Sequence, residues 1–308
     1  MSEKALREKR AVVFTEKPPF PHNMMLELTN ACNHKCVFCA YRDMTRAKTF
    51  MDETFAKRIL KEAYEGGTRE VGFYLIGEPF LYEKLAEIVK YSKDIGFEYV
   101  YITTNGGVAT PEKMSKVLAA GLDSIKFSVN AATVSSYKEV HGRDDYETVR
   151  ENIRFARKYI DEHKLDVGLF ISFVECNFNK NDIDNLRDDF EKVVDKIYIC
   201  PCGNQGGRMG KLLRDKIVDV LKPAAKPCAM VFSRLHITAE GYLDACCTDT
   251  NGELRMADLH KMSLKDAWHS SNMVELRRQH LGKIKENVLC YNCVHNTDYA
   301  VSKDVFKI

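Results

Sequence analysis

The sequence predicts an α/β protein built on a parallel sheet, followed by a small α+β region at the C-terminal end. Short apolar runs alternate with amphipathic segments six times at a spacing of about 30 residues, which is typical of βαβ units. After the sixth run this alternation stops, and turn-rich segments with scattered cysteines follow. Six units fit a partial (β/α)6 barrel, and a doubly wound open sheet is the alternative.

The six strands are each bounded by turn or capping residues. They are predicted at 24–28, 71–75, 99–103, 124–129, 167–174 and 196–200. Helices are predicted between them at about 52–66, 81–94, 110–121, 145–161 and 182–192. Asp52 is a suitable N-cap for the first helix and Gly66-Gly67 ends it, while Thr110-Pro111 caps and opens the third.

Two strands carry polar residues on one of their faces. In strand four the polar set is Ser124, Lys126 and Ser128. In strand three it is Tyr99, Tyr101 and Thr103. Helices cover the outside of a barrel, so we expect the apolar faces of both strands to point outward and their polar faces to point into the lumen. A packed barrel usually has branched apolar residues in its lumen instead. A polar lumen predicts a ligand; the alternative is a solvent-facing strand of an antiparallel sheet.

Composition and charge are those of a globular protein. The chain has 308 residues, 45% hydrophobic and 29% charged, and its net charge is +2 from 46 basic and 44 acidic residues. This balance does not favour nucleic acid, and no apolar run is long enough to span a membrane. We expect a cytoplasmic protein with a leader over 1–23, the barrel over 24–207, a linker over 208–227 and a small C-terminal domain over 228–308.

Cys32, Cys36 and Cys39 lie on the loop after strand one, with the spacing C-x3-C-x2-C. Three thiolates can hold three irons of a [4Fe–4S] cluster, which leaves the fourth iron open to a substrate or a second cofactor. The alternative is a zinc ion with His34 as its fourth ligand.

The loop resembles the signature of radical S-adenosylmethionine (radical SAM) enzymes, because the aromatic Phe38 precedes the third cysteine. The resemblance implies that the three cysteines hold a [4Fe–4S] cluster and that S-adenosylmethionine (SAM) chelates the open iron. One electron then cleaves SAM to a 5′-deoxyadenosyl radical, which abstracts hydrogen from the substrate. Phe38 is expected near the adenine, and an electron donor such as flavodoxin or ferredoxin is expected as a partner.

Loops after the other strands match further elements of this family. Gly77, Glu78 and Pro79 resemble its Gly-Gly-Glu-Pro turn, with Ile76 in place of the first glycine, and are expected to bind the SAM amino group. Ser128 and Asn130 resemble its ribose-binding element. The segment His141-Gly142-Arg143 matches an element of the same branch without an assigned role, and a surface turn is its alternative.

A second cysteine set comprises Cys228, Cys246, Cys290 and Cys293. Its spacing around a predicted hairpin, Leu235–Cys246, and one helix from Ser263 to about 281 resembles the Twitch form of the SPASM family. The resemblance implies one auxiliary [4Fe–4S] cluster with four protein ligands, and a zinc ribbon is the alternative. Cys247 is an alternative to Cys246, Cys176 is expected to be a buried thiol, and Cys200 and Cys202 have no assigned role.

The expected function is a radical SAM oxidoreductase acting on a small polar substrate, such as a sugar or cyclitol alcohol or amine. The auxiliary cluster is expected to accept an electron or to anchor that substrate. Candidates for the proton acceptor are Lys126, Tyr74, Tyr101 and His141. A peptide-modifying SPASM maturase and a non-catalytic zinc-binding protein are the alternatives.

Overall fold

In the described part of the chain, nine strands form one sheet in the order β6-β5-β4-β3-β2-β1-β7-β8-β9. The computed structural model describes residues 11–176, 179–209, 223–302 and 305–308, so parts of the predicted leader and linker lie outside the described residues. The strands are Asn23–Leu26, Glu70–Phe73, Tyr99–Thr104, Ser124–Ser128, Gly168–Glu175, Lys196–Pro201, Arg234–Ile237, Tyr242–Asp244 and Arg255–Asp258. Each of the six predicted strands lies within two residues of its predicted bounds.

Strands β1 to β6 are all parallel to their neighbours, which confirms the α/β class and excludes the antiparallel alternative for β4. Strand β7 is also parallel to β1, with Met25 opposite His236. Strands β8 and β9 are antiparallel additions. The C-terminal region therefore extends the barrel sheet directly at β1, the strand that leads into the first cysteine loop.

Ten helices connect and follow the described strands. They are α1 Glu53–Gly66, α2 Leu85–Asp94, α3 Pro111–Ala119, α4 Val134–His141, α5 Tyr146–Glu162, α6 Ile183–Phe190, α7 Met230–Ser233, α8 Leu264–Trp268, α9 Ser271–Leu281 and α10 Leu289–His295. In the described part of the chain, no helix combines the length and apolar character needed to cross a membrane.

The first helices pack on one face of the sheet. The strand residues on that face are fully buried with helix residues in one core, among them Leu26, Phe73, Ile102, Phe127 and Ile171. Strand residues alternate in direction, so the polar residues of β3 and β4 lie on the opposite, inner face. The predicted orientation of both strands is confirmed.

The helices differ from the prediction in three places, two of which precede β5. Helix α2 begins at Leu85 rather than near 81, because Pro79–Leu81 forms a separate 3-10 turn. Helix α4 was not predicted, since its first turn contains a valine and two serines, which are modest helix formers. A capping box between Thr133 and Ser136 nevertheless starts it.

The single helix predicted to run to about 281 is two helices, α8 and α9. Helix α8 ends before His269, which is its C-cap. The Ser270 side chain then accepts a hydrogen bond from the backbone N–H of Met273 and starts α9. Asp52 and Thr110 cap α1 and α3 as predicted.

Candidate functional site

The first cysteine loop is held by the C-terminal end of α4. The N–H groups of Lys35 and Val37 donate to the carbonyls of His141 and Val140, over 3.1 and 2.9 Å. The Cys32 N–H donates to the Tyr41 hydroxyl over 2.9 Å. These bonds satisfy helix-end carbonyls that would otherwise lack partners and fix the backbone between the cysteines.

The three loop thiols share a setting that favours a bound cation. Burial raises the pKa of Cys32 to about 12, with the Glu78 carboxylate adding to the shift. Burial also raises the pKa of Cys36 and of Cys39, and in Cys36 repulsion from the other two thiolates contributes. Thiolates that repel one another in a buried loop need positive charge to be stable, and iron supplies it. The donor set therefore fits an iron–sulfur cluster.

Thiol spacing argues against a zinc ion held by three cysteine thiols at either site, whereas His34, Cys36 and His141 do lie close enough to share an ion. Among the described residues, only His34, Cys36 and His141 form a group of three whose donor atoms all lie within 4.8 Å of one another. A tetrahedral zinc ion with Zn–S bonds of about 2.3 Å would bring its sulfurs within about 3.8 Å of one another. Neither the first cysteine set nor any three of the second set meet that requirement.

His141 is buried beside the first cysteine loop, so the surface-turn interpretation of the segment His141-Gly142-Arg143 is wrong for its first residue. Its Nδ1 lies 3.3 Å from Cys36 Sγ, and its Nε2 accepts the Asn130 N–H over 3.2 Å. Burial lowers the pKa of His141 well below its usual value, so the ring is neutral. Sequence reasoning offered His141 as a proton acceptor on the substrate, but the structure places it against a predicted metal ligand.

Gly77 and Glu78 connect the second-strand loop to the cysteine loop. A Cβ on Gly77 would lie 2.0 Å from the Thr29 carbonyl oxygen, so only glycine allows this approach. Glu78 is buried and accepts hydrogen bonds from the Thr104 hydroxyl and the Asn105 N–H, each over 2.7 Å. Burial raises the pKa of Glu78 to about 7, while these donors oppose the shift. Pro79 opens the 3-10 turn that follows. Their contact with the SAM amino group stays a prediction.

The other predicted cofactor-binding residues surround the same loop. Asn130 is fully buried: its Oδ1 accepts the Val174 N–H over 2.6 Å, and its Nδ2 donates to the Ser128 hydroxyl over 3.1 Å. Phe38 is buried with its ring edge-on to His141, at a centroid distance of 6.3 Å. Roles for Ser128, Asn130 and Phe38 toward ribose and adenine stay predictions.

Three of the four proton-acceptor candidates lie on or beside the inner face. Tyr74 and Tyr101 have ring centroids 5.8 Å apart, and the Tyr101 hydroxyl lies 3.2 Å from Asn23 Nδ2. The absent side chain of Gly72 makes room for the Tyr101 ring, because a Cβ there would lie 2.5 Å from it. Burial raises the pKa of both tyrosines, so their hydroxyls are protonated donors. Lys126 projects from the same face, half-buried.

Some polar atoms of the inner face have no hydrogen-bond partner among the residues that the structure describes. His236 on β7 is fully buried, and neither ring nitrogen meets hydrogen-bond geometry with any described group. The Thr103 hydroxyl is likewise buried without a partner among the described residues. Burial lowers the pKa of His236 to about 3, while the Asp244 backbone across the β-ladder opposes the shift slightly. Orphaned polar atoms at this depth are rare and indicate a position for a ligand or ordered water.

The second cysteine set comes together from three parts of the chain. Cys290 and Cys293 lie one turn apart on α10, Cys228 precedes α7, and Cys246 follows β8. Burial raises the pKa of Cys228, Cys290 and Cys293, and repulsion from Cys246 contributes to each shift. Cys246 therefore lies among the other three and fits the fourth ligand position.

Cys247 shares Cys228 with Cys246 as a neighbour, but its other neighbours differ. Its pKa is lowered, chiefly by the Cys246 side chain and with a further contribution from the Arg234 guanidinium. Cys247 also contributes to the raised pKa of Tyr74, an inner-face residue. The structure thus places Cys247 between the second cysteine set and the inner face.

Gln205 was not recognised from the sequence, where it lies in a turn-rich break. Its carboxamide accepts the Ala40 N–H over 3.0 Å and donates to the Phe38 carbonyl, so it pairs with the peptide groups on both sides of Cys39. The next residue, Gly206, donates its N–H to Cys293 Sγ over 3.1 Å. One dipeptide therefore contacts both cysteine sites, and only the glycines around it gave a local signal.

A buried ion network joins the barrel to the C-terminal region. Arg46 donates to both Glu27 oxygens, each over 3.1 Å, and to Glu240 Oε2 over 2.7 Å. Glu27 also accepts the N–H groups of Ile76 and Ala239. Glu27 interrupts the otherwise apolar run of strand one, and this charge was the available sequence signal.

The remaining cysteines lie near the end of β5 and β6. Cys176 and Cys202 are buried, one position beyond the last paired residues Glu175 and Pro201, and Cys200 is exposed. Cys176 is thus buried as expected.

Comparison with known proteins agrees with both cysteine sites. A family model described as the radical SAM superfamily matches residues 26–190, and an iron–sulfur cluster-binding domain model, SPASM, matches residues 228–294. Curated relatives include a probable GTP 3′,8-cyclase of Saccharolobus solfataricus, 27% identical over 78% of this chain and 87% of its own. One from Sulfurisphaera tokodaii is 25% identical over 83% and 90%.

Solved structures show the same fold at low identity. BtrN in complex with AdoMet and 2-DOIA aligns with a TM-score of 0.63 and 17% identity, covering 94% of this chain and 98% of BtrN. Streptococcus suis SuiB bound to the precursor peptide SuiA aligns with a TM-score of 0.69 and 14% identity, covering 92% and 70%.

Proposed function

Because this chain belongs to the radical SAM superfamily, we propose that it is an oxidoreductase that abstracts hydrogen from a small polar substrate. The substrate class is a sugar-like or cyclitol-like alcohol or amine. The observation that carries this proposal is the inner face, where the ring nitrogens of His236 and the hydroxyl of Thr103 are buried and form no hydrogen bond of normal geometry with any described residue. A polar ligand would satisfy these atoms, while an apolar one would leave them unpaired.

The cofactors are SAM, the [4Fe–4S] cluster that binds it, and an auxiliary [4Fe–4S] cluster. When bound, SAM and the first cluster would supply a 5′-deoxyadenosyl radical. Cys32, Cys36 and Cys39 are proposed to hold the first cluster, and Cys228, Cys246, Cys290 and Cys293 the second, which would anchor the substrate or accept its electron. Flavodoxin or ferredoxin is proposed as the electron donor.

The protein's own residues would orient the substrate and move its proton. The tyrosine hydroxyls of Tyr74 and Tyr101 are protonated and suited to donate to substrate oxygens. Lys126 is the remaining candidate for a proton acceptor on the inner face. His141 is withdrawn from that role, because its two ring nitrogens face Cys36 and Asn130.

A nucleotide substrate is the second candidate. It is favoured by the curated relatives described as probable GTP 3′,8-cyclases and by the cationic residues Lys126, Lys196 and Arg234 on the inner face of β4, β6 and β7. These cations would complement a phosphate group. The peptide-modifying alternative is supported by likeness of fold alone.

Anaerobic reconstitution tests the proposal. We expect about eight irons per chain, four for each [4Fe–4S] cluster, and 5′-deoxyadenosine on addition of SAM and dithionite. Cyclitols, amino sugars, GTP and peptides are then compared for acceleration of its formation. Acceleration by GTP alone would favour the second candidate, and iron at one or two atoms per chain without 5′-deoxyadenosine would reject both.

Two variants complete the test. Cys36→Ala removes a proposed ligand of the first cluster, so we expect about half the iron and no 5′-deoxyadenosine. Cys176→Ala is the matched control, since Cys176 is buried but lies outside both cysteine sets; it should keep the iron content and the activity.

A further inference from the structure

We infer that His141 is a positioning residue that donates a hydrogen bond from Nδ1 to the Cys36 sulfur and thereby raises the reduction potential of the cluster bound there. The inference rests on the proposed function in one respect, namely that Cys36 is an iron ligand. His141 itself takes no part in the proposed hydrogen abstraction.

The location of His141 is fixed from several sides. It is the last residue of α4, and Gly142 follows it with φ of 66°, a left-handed conformation that ends the helix. The ring stacks on Tyr137 at a centroid distance of 4.1 Å and an angle of 16°. Its own carbonyl accepts the Lys35 N–H, so backbone and side chain both contact the cysteine loop.

The hydrogen bonds of Asn130 decide which ring nitrogen carries the proton. The Asn130 backbone N–H points to His141 Nε2 over 3.2 Å, and an amide N–H can only donate. The Asn130 side-chain Nδ2 lies 3.3 Å from the same nitrogen, and its orientation is set because Oδ1 accepts the Val174 N–H. Nε2 is therefore an acceptor, and the single ring proton is on Nδ1.

The second neighbour of Nδ1 competes weakly for that proton. His34 Nδ1 lies 3.4 Å away, while His34 Nε2 faces the Asp145 carboxylate at 3.0 Å and carries the proton there. His34 Nδ1 is thus a neutral acceptor. An iron-bound thiolate is charged, and hydrogen bonds to charged acceptors are the stronger ones. The His141 proton is directed to Cys36 Sγ at 3.3 Å.

Such a donor affects the two oxidation states unequally. Reduction adds negative charge to the cluster and its sulfurs, so an N–H donor stabilises the reduced form more than the oxidised form. Hydrogen bonds to cluster sulfurs are among the factors that set reduction potential. Loss of the donor should therefore make the cluster harder to reduce.

Two substitutions separate the donor from the ring's packing role. Asn places its amide near the position of Nδ1 and can still donate to Cys36 Sγ. Gln places its amide near Nε2 and can accept from Asn130, but offers no donor beside the sulfur. His163→Gln is the control, because His163 is exposed and remote from both cysteine sets in sequence and contacts.

The midpoint potential of the first cluster is measured by anaerobic redox titration of the full chain with EPR detection, and its signal is identified by the change on adding SAM. We expect His141→Gln to shift the potential to more negative values, His141→Asn to restore most of the shift, and His163→Gln to leave it unchanged. An unchanged potential in His141→Gln with full iron content would overturn the inference. Failure of the wild-type protein to bind the cluster would instead reject the proposed function.

A measurement on the wild-type protein covers the case in which His141→Gln loses its iron. Pulsed EPR of protein labelled with ¹⁵N-histidine should detect a nitrogen coupled to the SAM-responsive cluster, together with an exchangeable proton. Absence of both signals would overturn the inference without any variant.

Discussion

Some polar side chains of the inner face are buried without hydrogen bonds to the described residues, which is unfavourable for a polar group. His236 has no exposed surface, and neither ring nitrogen meets hydrogen-bond geometry with a described group, although the Asp244 backbone lies near the ring. An unsatisfied buried polar group costs roughly 1–3 kcal/mol. The protein tolerates this cost at the face where we place the substrate, and binding sites commonly retain such local costs.

His236→Leu should make the protein less sensitive to acid. The folded-state pKa of His236 is about 3, below the unfolded value near 6.5. Between these values the unfolded chain binds the extra proton, so His236 lowers stability as pH falls from about 6.5 towards 3, by about 1.4 kcal/mol per pH unit. The loss of unfolding free energy between pH 6.5 and 5 should be smaller in the variant by roughly 2 kcal/mol.

Chemical denaturation at both pH values measures this difference, with His163→Leu as the exposed control. Equal acid sensitivity in His236→Leu and the wild type would contradict the depressed pKa.

The same variant should lower substrate-dependent turnover by about tenfold, as expected for one lost hydrogen bond near 1.4 kcal/mol, while 5′-deoxyadenosine formation without substrate is retained.

Ligand choice between the adjacent Cys246 and Cys247 is a second prediction for single residues. Cys246 interacts with all three of the other thiols, whereas Cys247 interacts with only one of them, Cys228, and also with Arg234 and Tyr74. Cys246→Ala should therefore lose the auxiliary cluster, about four irons per chain, and Cys247→Ala should keep them. Iron analysis of both variants decides, and the opposite result would assign Cys247 as the ligand.

Among the structural elements, the loops after β1 and β2 depend on close backbone contact. Glu78 donates its N–H to the Ala31 carbonyl over 2.8 Å, and Gly77 lies against the Thr29 carbonyl. This contact places the Glu78 carboxylate near Cys32. The shape of the first cysteine loop therefore depends on its neighbour as well as on its own sequence.

Gly77→Ala should destabilise the protein by about 3 kcal/mol, the upper range for overpacking, since its Cβ would lie 2.0 Å from a backbone oxygen. Gly203→Ala is the matched control, because a Cβ there meets no atom within 4 Å. Thermal unfolding and iron content compare the two. Similar stability of both variants would show that the contact between the loops is looser than described.

The sequence predicted the barrel strands well because parallel strands buried on one face have a strong pattern. It missed α4, whose stability comes from its capping box and from packing of Tyr137 and His141 against the cysteine loop. Gln205 was also missed, since its partners Phe38 and Ala40 are over 160 residues away in the chain. Contacts of this kind have no local signature, whereas a cysteine spacing does.

At the scale of the whole molecule, one buried ion network secures the C-terminal region to the barrel. Arg46 is bound by Glu27 of the chain after β1 and by Glu240 in the turn between β7 and β8. Removing one member of a buried pair leaves an uncompensated charge, which is more costly than a lost surface pair.

Arg46→Met should lower the unfolding free energy by about 3 kcal/mol, because Glu27 would remain buried without a cation. Lys90→Met is the control, since its pair with Asp94 is exposed and worth at most about 0.5 kcal/mol. Denaturant unfolding measures both. A loss in Arg46→Met no larger than in Lys90→Met would mean that the network contributes little to joining the two regions.

The Gln205–Gly206 dipeptide has a consequence for electron movement. From Cys39, a route of covalent and hydrogen bonds passes through the Phe38 carbonyl, the Gln205 carboxamide and the Gly206 amide to the Cys293 sulfur. Tunnelling between two redox centres is favoured by bonded paths over gaps through space. With both clusters bound as proposed, electrons would have a bonded path between the two sites that runs through the Gln205 side chain and the peptide group it shares with Gly206.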